Sequence, residues 1–238
     1  MKKRKRLIEQ LYDEKAIIVL IAAIFVLLSV YLCIVTQVPV RGLSYYKQLS
    51  LQIHEQMQAI VNDAELSTPG LDYIDPNNLE EVLALYAYYS MLSDLKWLEE
   101  KENNYFEQMQ KADTKEEEQI LIKKEIACGV IVQYVLLLNV AATEDTSDYN
   151  EARLNMLVGE AQFRINSVKS PYLSKEILED IASNSGLKIN EVEEEIGNLM
   201  EEYIELRKQA LQEAIKSGDK KKQYIEAKKM LMLAGSFQ

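Results

Sequence analysis

One uncharged stretch near the start of the chain, residues 16–36, dominates the pattern of hydrophobic and polar positions. Its 21 residues are long enough, at the rise of an α-helix, to cross a hydrocarbon core of about 30 Å. Five consecutive basic residues, 2–6, precede it, and such a flank normally stays in the cytoplasm. The pattern predicts a cytoplasmic basic tail over residues 1–15, a transmembrane helix over residues 16–36, and an extracytoplasmic location for the rest.

Other interpretations of this stretch fit less well. A cleaved secretory signal has a shorter apolar core, about 7–15 residues, and small residues before its cleavage site. Here the apolar stretch ends in bulky valines at Val35 and Val38. A lipid-modified Cys33 would follow Leu32, which is too large for that processing. A buried helix of a soluble protein rarely follows five basic residues, so a retained membrane anchor is favoured.

Beyond residue 36, apolar residues recur at steps of three and four, which is the spacing of one helix face. Because no segment shows sustained alternation of period two, the sequence predicts an all-α fold. The predicted helices are Ser44 to Leu66, one starting at Asn78, Thr114 to about Ala142, Tyr149 to Val168, Ser174 to Asn184, Asn190 to about Lys216, and Lys220 to Ala234. Three of these starts have the spacing of a capping box: Asn78 with Glu81, Thr114 with Glu117, and Asn190 with Glu193.

Breaks between helices suggest two units after the anchor. Ser170-Pro171 separates a helical bundle over residues 37–170 from a C-terminal module over residues 171–238. In the module, Ser217-Gly218-Asp219 joins two long helices, which predicts an antiparallel helical hairpin.

Residues 126–142 form a second uncharged stretch, and two interpretations of it remain open. As a second membrane span it would return the C-terminus to the cytoplasm, but it lies at the lower limit of spanning length. Gln133 and Asn139 would also need partners within lipid. As the central helix of a bundle it would be apolar all round because neighbours cover it, and this interpretation is favoured. A third hypothesis is a small-ligand sensor whose pocket is lined by Gln133 and Asn139.

Charge argues against nucleic acid as a partner. The chain carries 38 acidic and 27 basic residues, a net charge of −11, and such a surface repels phosphate. Ala182, Gly186 and Val192 have the spacing of a helix-turn-helix motif, which a two-span protein could carry as a cytoplasmic regulatory module. Residues 190–195 would then form the recognition helix, but their four carboxylates would meet DNA phosphates, so a structural corner is favoured.

Catalytic and cofactor chemistry finds little support in the residues. His54 is the only histidine, and no glycine elbow or phosphate-binding loop accompanies it. One histidine cannot supply the paired ligands of a di-iron or zinc helix motif. The acidic clusters 116–118 and 193–195 are consecutive, so they fan around a helix instead of converging on an ion. We predict no enzyme activity, no cofactor and no metal site.

Three surfaces are predicted to contact protein partners. Tyr86 and Tyr89 share the apolar face of their helix, whereas Tyr88 falls off it and, with Trp97, is a candidate interface anchor. A heptad seam of coiled-coil type runs from residue 192 to residue 210, and a run of consecutive apolar residues ends the last helix. The seam and run contribute Val192, Leu199, Leu206, Met230, Leu231, Met232 and Leu233. Lysines of the last helix are expected to pair with Glu201, Glu202 and Glu205 across the hairpin, or to bind a membrane surface.

Together these patterns predict a bacterial single-pass membrane protein with an extracytoplasmic helical domain. Its predicted role is that of a scaffold or accessory subunit of a cell-envelope assembly. It would contact lipid through residues 16–36 and other envelope proteins, or further copies of itself, through helix faces. The competing hypotheses are the two-span regulatory protein and the small-ligand sensor.

Overall fold

The computed structural model describes residues 44–67, 74–143, 149–165 and 187–235. The described residues form six α-helices and no strand, which confirms the all-α prediction for this part of the chain. The helices are α1 (Tyr45–Leu66), α2 (Leu79–Lys111), α3 (Lys115–Thr143), α4 (Glu151–Arg164), α5 (Ile189–Ser217) and α6 (Lys220–Gly235). The predicted basic tail, the predicted span over residues 16–36 and the predicted helix over residues 174–184 lie outside the described residues.

Local capping explains where the first helices begin. The Ser44 hydroxyl accepts the backbone N–H of Lys47 at the start of α1. At α3, Thr114 Oγ1 accepts the N–H of Glu117, and the Glu117 carboxylate accepts the N–H groups of Asp113 and Thr114. The capping box predicted at Thr114 is therefore present in full. At Asn78 the side-chain oxygen accepts the N–H of Glu81, but the Glu81 carboxylate accepts from the side-chain amide of Asn78 and not from its backbone N–H.

The predicted start of α5 is wrong by two residues. Lys188 occupies the N-cap position, without a side-chain capping bond, and Asn190 is already helical. The far end of α5 is as predicted: Gly218 has φ of 72°, and the chain turns directly into α6. The helices α5 and α6 pack against each other, which confirms the helical hairpin.

Helix α3 lies at the centre of the bundle. It packs against α1, α2, α5 and α6, while α4 packs on α6. By length and composition α3 is also apolar enough to cross a membrane, although half of its most apolar window is buried by its neighbours.

Two apolar clusters make up the core. The larger one joins α3 to all the other helices and includes Leu83, Leu98, Ile131 and Met200. The smaller one, at one end of the bundle, consists of Tyr46, Leu49, Met109, Ala112, Leu121 and Ile122. On α1, α2 and α3, buried polar residues lie along the helix between the residues of the larger cluster and those of the smaller one. These residues are Ser50, Glu102 and Glu125, and they form a polar layer between the two clusters.

Two glycines should respond to alanine with opposite signs. Gly129 lies within α3 and a Cβ there would meet no atom within 4 Å, so Gly129→Ala should raise the free energy of unfolding by about 0.5–1 kcal/mol. A Cβ at Gly218 would also meet no atom within 4 Å, but φ is positive there. Gly218→Ala should therefore lower the free energy of unfolding by about 1 kcal/mol. Urea unfolding of the full chain in detergent, followed by circular dichroism, measures both, and a shift of the same sign in both variants would contradict the assignment.

Candidate functional site

Most of the predicted partner surfaces lie inside the domain. Val192, Leu199, Met230 and Leu233 are buried in the larger core cluster. The remaining members, Leu206, Leu231 and Met232, are half-buried and pack against the same cluster. The heptad seam of α5 therefore packs against the chain's own α3 and α6, and contact of these residues with a partner stays a prediction.

The tyrosines of α2 are arranged differently from the prediction. The Tyr88 hydroxyl donates a hydrogen bond to the carbonyl of Ala64 (2.6 Å), because the C-terminal end of α1 covers this position. Trp97 is half-buried, with its ring 6.1 Å from that of Tyr203. Tyr89, predicted to be internal, is 44 % exposed. The spacing of apolar residues along α2 did not predict this, because the end of α1 covers Tyr88 and extends the buried face of α2 to that position.

The charge pairing predicted across the hairpin is wrong for Glu202 and Glu205. Glu202 pairs with Lys101 of α2, and Glu205 pairs with Lys208 of its own helix. The basic end of α6 is divided between the surface and the core, since Lys220 pairs with Glu151 of α4 while Lys229 is fully buried.

The outer face of α4 carries an apolar stripe that the sequence analysis did not single out. Ala152, Met156, Gly159 and Phe163 recur at steps of three and four, and all are exposed. Phe163 is 83 % exposed and Met156 is 49 % exposed, whereas Leu154, Leu157 and Ala161 on the opposite face are buried. We call these four exposed residues the α4 stripe.

A buried ion network joins α2, α5 and α6. Arg207 lies 2.6 Å from Asp94 and 3.1 Å from Glu226, measured from guanidinium nitrogen to carboxylate oxygen. Ser90 accepts hydrogen bonds from Arg207 (2.9 Å) and Lys229 (2.8 Å) and donates one to Glu226 (2.7 Å). The Tyr203 hydroxyl donates to Asp94 at 2.9 Å. Two carboxylates thus face two cations inside the core.

Electrostatics in the network follow from burial balanced by opposite charge. Burial lowers the pKa of Lys229 to about 8, although Asp94 opposes that shift. Burial raises the pKa of Asp94, with Arg207 and Lys229 acting in the opposite sense. For Arg207 burial favours a lower pKa, but Asp94 and Glu226 outweigh it and the pKa rises. A guanidinium that stays charged between two acids is a structural tie between helices.

The polar layer between the two apolar clusters contains a pair of acids. Glu102 of α2 and Glu125 of α3 are both 0 % exposed. The His54 ring nitrogen Nδ1 lies 3.0 Å from Glu102, and the Ser50 hydroxyl donates to Glu125 at 2.8 Å. One oxygen of each carboxyl group, Oε1 of Glu102 and Oε2 of Glu125, has no hydrogen-bond partner among the described residues. We call Glu102 and Glu125 the acid pair.

The acid pair lacks the buried lysine and arginine that balance the carboxylates of the ion network. Burial raises the pKa of Glu125 to about 8, opposed by the hydrogen bond from Ser50. Burial also raises the pKa of Glu102, opposed by the contact with His54. Described residues provide no group of three or more His, Cys, Asp or Glu side chains placed to hold a metal ion. This arrangement can hold or release a proton.

Comparison with known proteins gives no guide to the chemistry of these sites. No protein-family model matches the chain, and no curated protein and no solved structure shows significant similarity to it.

Sequence reasoning missed both buried clusters, although a signal was present. Glu102 falls between Leu98 and Met109 on the apolar face of α2, and Glu125 falls between Ile122 and Cys128 on that of α3. A charged residue at a core position of a helical pattern indicates a paired or protonated group. Gln133 and Asn139, expected to line one pocket, are six positions apart on α3, so they point to sides of the helix about 120° apart.

Proposed function

We propose that this protein is a membrane-anchored helical scaffold of the bacterial cell envelope, an accessory subunit that binds another protein of the same membrane. In this proposal residues 16–36 form the anchor, the N-terminal basic tail is cytoplasmic, and the helical domain is outside. The observation that carries the proposal is the α4 stripe, with Phe163 83 % exposed at its end.

Exposure of this size is the physical reason for choosing α4. Large exposed aromatic rings are the anchors that contribute most to protein interfaces, and contiguous exposed apolar residues mark interaction sites. The remaining exposed residues of α4 are polar or charged, such as Asn155 and Gln162, so the stripe has a polar rim. The partner is expected to present an apolar helix face, because residues at steps of three and four match such a face.

The single-span topology is supported by the surroundings of α3. Its neighbours cover it on several sides, and Glu125, one residue before the uncharged stretch 126–142, is fully buried against Ser50 of α1. A membrane span would need lipid around that stretch, whereas four helices of the bundle pack against α3 and bury half of its most apolar window. The two-span alternative requires α3 to leave this bundle.

The test uses cysteine substitutions in intact cells. Gly159→Cys lies in the middle of the α4 stripe and keeps Met156 and Phe163, and a Cβ there meets no atom within 4 Å. The control is Gln212→Cys on the exposed face of α5. A membrane-impermeant photoreactive maleimide should label both variants from outside, and illumination should cross-link only the residue-159 variant to one discrete protein. Wild type gives the background, since Cys128 is buried.

Each outcome bears on a separate part of the proposal. Labelling that requires opened cells would overturn the extracytoplasmic location. Equal cross-linking from residues 159 and 212 would overturn the α4 stripe as the binding surface. An adduct of twice the chain's mass would replace the heterologous partner with a second copy. Adding Phe163→Ser to the residue-159 variant should abolish the adduct without changing the labelling.

A further inference from the structure

Binding a proton at the acid pair would stabilise the folded bundle. Burying one ionised carboxylate without a cation is costly, and burying two that interact with each other is costlier, whereas a neutral carboxyl group is far easier to bury. His54 supplies one hydrogen bond to Glu102, and a carboxylate can only accept, so the histidine Nδ1 must carry the hydrogen when Glu102 is ionised. Glu125 has only a hydroxyl, that of Ser50, as its partner among the described residues.

Other ionisable groups around the pair do not neutralise it. Glu99 of α2 and Cys128 of α3 interact with the pair directly, whereas Lys101 and Tyr105 of α2 and Glu202 of α5 interact with Cys128. Glu195 of α5 interacts with Tyr105. His54 is a cation only when it is protonated, and Lys101 is paired with Glu202. Burial raises the pKa of Tyr105 to about 12, so this ring stays neutral, and Lys124 lies over its face. The remaining groups are acids or a buried thiol, and they add negative charge when they ionise.

Both polar contacts to the acid pair come from one helix. Ser50 and His54 lie one turn apart on α1, and they reach Glu125 on α3 and Glu102 on α2. Helices α2 and α3 are held from other sides by α5 and α6, whereas α1 packs mainly on α2 and α3. Movement of α1 is therefore the least costly way to admit water to an ionised pair.

We propose that Glu102 and Glu125 form a proton-binding site whose occupancy controls how tightly α1 docks on α2 and α3. With the proton bound, Ser50 and His54 hold α1 across the acid pair. When the proton leaves, two buried negative charges that repel each other remain in the core, and α1 opens more often. This inference concerns the interior of the domain and does not depend on the proposed partner of the α4 stripe.

The direction of the pH dependence follows from the protonation states. An unfolded glutamate has a pKa of about 4.3, and burial raises the pKa of Glu125 to about 8. Between these values the folded domain binds a proton that the opened state lacks, so docking of α1 weakens as the pH rises. The equilibrium constant for opening should increase by up to about tenfold per pH unit in this window and level off above about pH 8.

Hydrogen exchange of the full chain in detergent micelles tests this inference. Amide protection across α1, corrected for the intrinsic pH dependence of exchange, should fall by up to about tenfold between about pH 6 and about pH 7 in the wild type. Glu125→Gln, which keeps the shape and the acceptor for Ser50, should make α1 protection independent of pH. The matched control, Glu116→Gln, changes an exposed acid on the same helix and should behave as wild type.

A second measurement uses the wild-type protein alone, so it does not depend on whether a variant folds. Infrared spectra of the wild type should show the carbonyl band of a protonated carboxyl group near neutral pH, and this band should disappear as the pH rises past about 8. Lack of that band at neutral pH would overturn the proposal. So would α1 protection that does not change with pH in the wild type, or a pH dependence that persists in Glu125→Gln.

Discussion

Replacing Arg207 by methionine should lower the free energy of unfolding by about 3–5 kcal/mol. Arg207 lies 2.6 Å from Asp94 and 3.1 Å from Glu226, and it is 4 % exposed. Without the guanidinium, two buried carboxylates would keep only Lys229, whose nitrogen is 3.9 Å from Asp94, as a cation. A loss of this size is a large part of the stability of a typical domain. Urea unfolding of the full chain in detergent measures it.

Lys208→Met provides the matched control. Lys208 is adjacent in sequence but half-exposed, and it pairs with Glu205 on its own helix. Such surface pairs contribute at most about 1 kcal/mol, so the same substitution should have a small effect there. Adding Asp94→Asn to Arg207→Met should recover part of the loss, because it removes one uncompensated charge. Equal losses at positions 207 and 208 would show that the ion network does not stabilise the fold.

The second large effect is expected from lysine placed at two neighbouring positions of α3. Val135 is fully buried in the core, whereas Leu137 is 49 % exposed. Val135→Lys should lower the free energy of unfolding by more than about 4 kcal/mol and prevent folded protein from accumulating, because the charge has no partner in the core. Leu137→Lys should cost less than about 1 kcal/mol, because its ammonium group can reach water. Yield and urea unfolding of the two variants provide the comparison.

This pair of variants also separates a core helix from a membrane span. In a span both positions would lie near the middle of the hydrocarbon, and lysine would cost about 2.5–3.5 kcal/mol at each. Similar losses at 135 and 137 would therefore favour the two-span alternative. Val135→Ala and Leu137→Ala control for the loss of the apolar side chains themselves.

Features encoded over a few residues were predictable from the sequence. The starts of α1 and α3 depend on Ser44 and Thr114, whose side chains bond to backbone groups three residues on. The turn at Gly218 depends on the φ of a single residue. The all-helical fold follows from periodicity, which is also a local property.

Features that depend on which helices meet were not predictable. The Asn190 and Glu193 spacing resembles a capping box, yet the chain enters α5 two residues earlier, at Lys188. Tyr88 is covered because the end of α1 happens to lie on it. The burial of Arg207 with Asp94 and Glu226 requires three helices brought together from distant parts of the chain, and no spacing within one helix encodes that meeting.

The ion network also limits how α2, α5 and α6 can be aligned along their axes. Each helix contributes two members about one turn apart: Ser90 and Asp94, Tyr203 and Arg207, and Glu226 and Lys229. A seam made only of leucines tolerates a slide of one turn, since one methyl-rich surface replaces another. Here the same slide would place Arg207 opposite apolar side chains and would leave Asp94 and Glu226 without their shared cation. The charges therefore select one axial offset among several that the hydrophobic contacts alone would permit.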